Sequence, residues 1–415
     1  MKHRNTISLD PGAAALLDRL HGAGYAAYAV GGCVRDSLLG LSPHDWDLCT
    51  SARPEQVLEL FGEGQCIPTG LQHGTVTVKW EGKLYETTTF RTEGTYTDGR
   101  HPDHVDFVPD VREDLARRDF TINAMAYSAE EGVIDPFGGQ KDLAHGLVRA
   151  VGEPHRRFEE DALRILRLYR FAARFGFAID PATEQAAKML AGRLDCVSAE
   201  RITEEITRLL AAPRPGSWLE PVVFAAVLPE LFAPKLRHNF GQARVVVDAL
   251  PAGLDEVSTR LAALLLPLGE EGARTALKRL RCSNALTEEV ATLVGVQPRL
   301  RPALPGAERV QARRLLGKLE LPTLRRLLAL CAAEAPERAE AFRALEQEAE
   351  RVAAAGLCCR VGQLAVNGRD LMALGAKPGP GLRRILEMLL EQVITEALPN
   401  ELEALLARAA QILAS

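Results

Sequence analysis

Asp45 and Asp47 flank Trp46, and nine residues before Asp45 ends the run Gly31-Gly32-Cys33-Val34-Arg35-Asp36. Glycines let a backbone approach a phosphate closely. Side chains at i and i+2 of an extended strand share one face, so a strand here would present both carboxylates together. Two hard oxygen ligands beside a phosphate cradle suit Mg²⁺-assisted phosphoryl chemistry. A bare Asp-x-Asp is more often a solvated turn; the glycine pair upstream shifts the balance toward chemistry.

The elements that must position these residues can be read from periodicity. The spacing predicts a helix over 11–20, a strand over 25–30 leading into the glycines, a helix over 34–39 and an extended segment over 44–50. A helix over 54–61 follows, with Ser51 as its N-cap. Residues 75–80 and 83–90 alternate around Glu81-Gly82, a hairpin signal. Residues 91–104 are polar and read as a loop before a strand over 105–108. From about 155 onward Leu, Ala, Arg and Glu dominate and the pattern is helical nearly throughout.

Two further stretches could carry chemistry. In Arg117-Arg118-Asp119-Phe120-Thr121-Ile122-Asn123-Ala124-Met125-Ala126, Asp119 reads as the cap of a helix, and Arg118 could neutralise a triphosphate oxygen or hold the ribose side of a nucleotide. In Glu160-Asp161-Ala162-Leu163-Arg164-Ile165-Leu166-Arg167-Leu168-Tyr169-Arg170-Phe171, Asp161 and Arg164 would be helix neighbours, at least as a surface ion pair. Arginines at 164, 167 and 170 with apolar residues between them describe a helix held between other elements. Glu86, on the strand before Arg91, is either a third catalytic carboxylate or an ordinary exposed strand residue.

Strand, Gly-Gly, helix and Asp-x-Asp come in the order of the polymerase-β-like nucleotidyltransferases. With the other two motifs, the chain resembles class II tRNA nucleotidyltransferases, the bacterial CCA-adding enzymes and their poly(A) polymerase relatives. The match is strong over residues 25–175. It continues through Ser198-Ala199-Glu200-Arg201-Ile202, Asn367-Gly368-Arg369-Asp370-Leu371-Met372 and Lys377-Pro378-Gly379-Pro380. The resemblance implies an α+β chain with a mixed-sheet head (1–150), then an all-α neck (151–215), body (216–350) and tail (351–415). It puts Mg²⁺ on Asp45 and Asp47. It sets the nucleotide against Gly32, Arg35, Arg118, Asp161, Arg164, Arg167 and Arg170. The implied substrates are tRNA, CTP and ATP.

Hydrogen bonding explains how Asp161 and Arg164 could choose a base. Cytosine and adenine both offer an amino donor beside a ring-nitrogen acceptor, which complements a carboxylate acceptor beside a guanidinium donor. Uracil and guanine present the reverse, leaving buried polar groups unpaired at about 1–3 kcal/mol each. Two such mismatches discriminate on the order of 10²–10⁴.

Residues Thr95-Tyr96-Thr97-Asp98-Gly99-Arg100-His101-Pro102 look like the intact loop of full CCA-adding enzymes, whereas CC-adding relatives tend to have a shortened one. A poly(A) polymerase is the other alternative, and a non-catalytic RNA-binding scaffold a third. Many relatives carry an HD phosphohydrolase module. Where its His-Asp would stand this chain has Leu266-Pro267, neither able to ligate a hard metal, which predicts an inert helical remnant with His238 in packing or capping. The net charge of −5 excludes a globally basic nucleic-acid binder, so RNA contact would fall to local groups such as Lys235, Arg237, Lys278, Arg279, Arg281, Arg383 and Arg384. The 415 residues include no signal-peptide pattern and no membrane-length apolar run. Eight scattered cysteines without Cys-x-x-Cys indicate reduced thiols, and the expected setting is the cytoplasm, with no membrane and no obligate protein partner.

Overall fold

The computed structural model describes residues 7–94, 105–236, 239–302, 304 and 306–414. The loop motif at 95–102, Arg237 and His238 lie outside them. The chain forms two compact units, 1–232 and 233–415. Among the described residues no helix is long and apolar enough to cross a membrane.

The first unit is built on a seven-stranded mixed sheet. Its strands are β1 (Ala27–Val30), β2 (Leu48–Thr50), β3 (Cys66–Gly70), β4 (Thr75–Trp80), β5 (Lys83–Thr89), β8 (Ala126–Ser128) and β9 (Gly132–Ile134), in the order β3-β4-β5-β2-β1-β8-β9. Only β2 and β5 pair in parallel, with Leu48 opposite Thr87; the other neighbours are antiparallel. A separate two-stranded ribbon joins β6 (Arg91–Glu93) to β7 (Val105–Phe107). The four residues of β1 are all buried, as befits a central strand. On β5, Tyr85, Thr87 and Thr89 face inward, so the period of two turns Glu86 and Thr88 the other way. The expected hairpin is present: Glu81 and Gly82 both take positive φ, 46° and 80°, the turn that matches strand twist.

Helices frame this sheet. They are α1 (Pro11–Gly22), α2 (Gly32–Leu38), α3 (Pro54–Phe61), α4 (Val111–Ala116), α5 (Gly139–Ala144), α6 (Pro154–Glu160), α7 (Leu163–Phe175), α8 (Pro181–Met189), α9 (Ala199–Leu210) and α10 (Pro221–Val227). Val111 and Leu115 of α4 enter one core with Tyr28, Val30, Cys49, Phe90 and Ala126. Three expectations change. Arg53, not Ser51, stands at the N-cap of α3, because the Ser51 hydroxyl accepts the Ala26 N–H at 3.0 Å and ties β1 to the segment after β2. Thr121–Asn123 forms a single 3₁₀ turn instead of a helix for Asp119 to cap. Asp161 does not continue a helix either: it takes extended backbone, φ −144°, between α6 and α7, and its Oδ1 accepts the Leu163 N–H at 3.0 Å.

The second unit is helical, from Asn239–Ala249 to Leu402–Ala414. Leu266-Pro267 sits in a 3₁₀ turn after helix Val257–Leu265. Near the C-terminus, Leu371, Leu389, Val393, Leu405 and Ala409 form a core of their own. Arg313, only 4% exposed, fastens it. Its guanidinium donates to the carbonyls of Cys358 (2.7 Å), Val393 (2.8 Å) and Ile394 (3.2 Å), the last two at the end of helix Pro380–Ile394. Replacing it removes both guanidinium donors from the Cys358 carbonyl, while the Val393 carbonyl keeps the Glu396 N–H at 3.2 Å. Arg313→Met is expected to lose about 2–4 kcal/mol of stability, read as a lower urea midpoint of helical circular dichroism. An unshifted midpoint would refute this role.

Candidate active site

Gly31 turns the chain from β1 into α2 at φ 78°, a conformation costly to any residue with a Cβ. A Cβ there would also lie 2.8 Å from Nη1 of Arg118. The glycine therefore admits Arg118 over the turn. Asp47 and Asp45 lie in the irregular segment before β2, so the shared strand face expected of them does not exist. Asp47 is nonetheless fixed, because its carbonyl accepts the Val30 N–H at 2.9 Å where β1 ends.

A cleft of about 350 Å³ opens beside this turn. One wall carries Asp47, Glu86, Thr75 and Thr88; the other carries Arg91, Arg117, Arg118, Asp119, Asp161, Arg164, Arg167 and Arg201. Of the residues singled out in the sequence, Asp47, Glu86, Arg118, Asp161, Arg164 and Arg167 meet here. Asp45 is exposed alongside, outside the lining. Gly32 opens α2 beneath the turn. Arg35 and Arg170 are 4% and 5% exposed and lie away from the cleft. Arg35 binds Asp36 at 2.7 Å and the Asn123 side chain, and stacks on Phe171 and Phe175. Arg170 pairs with Glu205 and lies 4.0 Å from the centre of the Phe171 ring.

The carboxylates on the acidic wall repel one another. Partial desolvation, then Glu86 and Asp45, push the Asp47 pKa up to about 6, against the pull of Arg118, although the side chain stays open to the cleft. A carboxylate that resists ionisation beside two other acids is a setting that a hard divalent cation would stabilise. The residues thus fit a metal by donor chemistry. Among the described residues no three acidic, His or Cys side chains are gathered as a metal cluster, although Glu86 and Asp45 both act electrostatically on Asp47.

On the basic wall Arg117 and Arg118 pair with Asp114, Arg164 with Glu160, Arg167 with Asp119 and Arg201 with Asp161. Asp119 accepts Arg167 at 2.6 Å, the Asn123 amide at 3.0 Å and the Phe120 N–H at 2.8 Å. It is buried, and these charges hold its pKa far below the usual carboxylate range despite the desolvation. Asp161 and Arg164 do not pair with each other, because Asp161 sits at the break between the helices. Asp161 receives Arg201 at 2.8 and 3.3 Å. Arg164 donates to Glu160 at 2.8 Å and to the carbonyls of Arg157 and Arg117, both at 3.1 Å. Arg117, Arg201 and Asp114 carried no role in the sequence analysis. The available signal was an aspartate three and four residues before the arginine pair 117–118.

Residues 27–149 match the model of the poly A polymerase head domain. Residues 176–237 match a probable RNA- and SrmB-binding site of polymerase A, and residues 254–409 a tRNA nucleotidyltransferase domain 2. The CCA-adding enzyme of Lacticaseibacillus paracasei is 38% identical over 397 residues, covering 94% of each chain. This chain belongs to the CCA-adding enzyme family. The Limosilactobacillus fermentum enzyme is 36% identical over 96% of both chains. The Bacillus stearothermophilus CCA-adding enzyme in complex with CTP superimposes with a TM-score of 0.78, at 32% identity over 97% of this chain and 98% of that one. Thermotoga maritima CCA-adding enzyme complexed with tRNA shares the fold, with a TM-score of 0.68 at 21% identity. The α+β head and helical remainder are those of the family, the chain is a nucleotidyltransferase, and membership implies a divalent metal.

Because Asp119 and Asp114 are both held below their ordinary value, the folded chain binds fewer protons than the unfolded one. The stability they contribute is present above about pH 4 and lost as pH falls below it. Asp119→Asn should lower the thermal midpoint at neutral pH, with the gap to wild type narrowing steadily as pH falls below about 4. Parallel curves across that range would contradict the assignment.

Proposed function

We propose that the chain adds or repairs the 3′-terminal CCA of tRNA, taking C from CTP and A from ATP without a nucleic-acid template. The observation carrying this is the convergence, in one cleft, of Asp47 with the pair Asp161 and Arg164. Attack by the RNA 3′-hydroxyl on the α-phosphorus would release pyrophosphate.

Asp45 and Asp47 would hold Mg²⁺, which when bound favours the alkoxide and offsets triphosphate charge. Glu86 faces the same space from β5 and serves as a candidate for holding the attacking hydroxyl. Arg118, poised over Gly31, would take the triphosphate, with Arg117 beside it. Arg167 would add charge farther along. Gly32, Arg35 and Arg170 then act by shaping α2 and α7 instead of touching the nucleotide.

The base-reading pair has capacity left for a ligand. A carboxylate offers roughly four lone-pair positions, and Asp161 commits three, to Leu163 and Arg201. Arg164 commits three of its five N–H groups. What remains is an acceptor beside donors, the complement of cytosine and adenine. Around this site we keep the division into head, neck, body and tail. Exposed Lys235, Lys278, Arg279, Arg281, Arg383 and Arg384 are candidates for tRNA contact, and the Leu266-Pro267 region for an inert remnant. The reaction needs tRNA, CTP and ATP, and the cytoplasm, where all three occur, is the setting proposed for it.

Incubation with Mg²⁺, single or paired nucleotides and tRNAs ending before, within or after CC should give CCA and stop. A long A ladder would instead assign a poly(A) polymerase, and arrest after CC a CC-adding enzyme. Asp45→Ala and Asp47→Ala should each cut incorporation by at least about 10³ while leaving the melting temperature near wild type. Substantial residual turnover would sink the assignment of these aspartates.

A further inference from the structure

Asp114 lies behind the basic wall and is completely buried. Its Oδ1 accepts Arg117 Nε at 2.9 Å and Nη2 at 2.8 Å, and the backbone N–H of Arg91 at 3.4 Å. Its Oδ2 accepts Arg118 Nη2 at 3.4 Å. Consecutive helical residues normally point about 100° apart. Positions i+3 and i+4 both flank position i, so a single acid at 114 can turn two adjacent arginines toward the same place. Both guanidiniums reach the cleft and remain about one-fifth exposed, and the segment bringing Arg91 to the cleft is tied to the same carboxylate.

We propose that Asp114 is a positioning residue that sets Arg117 and Arg118 as a paired clamp for the polyphosphate chain of the incoming nucleotide. This rests on the nucleotidyltransferase function proposed above. The carboxylate works at a distance from the ligand, by fixing two flexible side chains before binding, so that little of their rotamer freedom remains to be lost. Arg118 Nε–H is buried without a hydrogen-bond partner among the described residues, a donor left for an anion. Gly31 lets the Arg118 guanidinium lie close over the turn, since any Cβ would stand 2.8 Å from its Nη1. The bonds to Arg117 and Arg118 explain why a carboxyl group can sit ionised in the interior.

The test is binding of inorganic tripolyphosphate to the full chain in EDTA, so that neither base nor metal contributes. Asp114→Asn should weaken it about tenfold and raise the KM for CTP and ATP by a similar factor, with kcat and the preference for CTP over UTP unchanged. Some loss of melting temperature is expected either way; a merely structural aspartate would instead lower kcat and selectivity together, and that result would overturn the proposal. Arg117→Lys keeps the charge but not the two-pronged contact. It should lose tripolyphosphate affinity to a similar extent, and the double variant should lose no more than either single one. Should Asp114→Asn fail to fold, unchanged tripolyphosphate affinity in Arg117→Lys overturns the proposal by itself. A wild-type chain that binds tripolyphosphate but extends no tRNA would sink the functional assignment and leave the clamp standing.

Discussion

Guanidinium groups crowded around a small cleft repel one another, and they must do so before any anionic substrate arrives to neutralise them. In this protein the repulsion is offset from behind. Asp114 backs Arg117 and Arg118, Asp119 backs Arg167, Glu160 backs Arg164, and Asp161 itself receives Arg201. Behind these, Glu205 takes Arg170 and Asp36 takes Arg35 and Arg174. Asp114 and Asp119 sit deeper than Arg117, Arg118 and Arg167, whose guanidiniums reach the cleft, whereas Glu160 and Arg164 are buried to a similar degree. A chain with a net charge of −5 can thereby present a strongly basic wall.

This arrangement also unites the first unit mechanically. Asp119 stands between the sheet and α7, and the Phe120 and Phe171 rings meet edge to face at 5.8 Å alongside it. Arg35 lies against Phe171 and Phe175 of α7 while its charge is taken by Asp36 and Asn123. The groups that would bind phosphate and those that would read the base are therefore parts of one packed body.

Much of the frame was legible in the sequence, because periodicity reports burial directly. The hairpin at Glu81-Gly82, the helix at 54–61 and the outward position of Glu86 all follow from it. Pairing partners were less legible, since they depend on contacts distant in sequence. Asp161 and Arg164 fit an i,i+3 pair only if the helix runs through both, and the extended backbone at Asp161 breaks that assumption. Arg35 and Arg170 carry the charge expected of a nucleotide ligand, but aromatic rings and acids from other elements cover them. Asp45 and Asp47 were singled out by chemistry, yet a shared orientation cannot come from a strand that starts only at Leu48.

The separate anchoring of Asp161 and Arg164 bears on how base preference can change in evolution or by engineering. Exchanging the two side chains would seem enough to invert the donor–acceptor pattern and favour uracil or guanine. Yet an arginine at 161 would face Arg201, and an aspartate at 164 would face Glu160 and two carbonyl oxygens. Every single step toward the inverted pattern thus creates a like-charge or acceptor–acceptor contact. If Asp161 and Arg164 read the base as proposed, viable routes must move through at least four positions together, a barrier of epistasis around that donor–acceptor pattern.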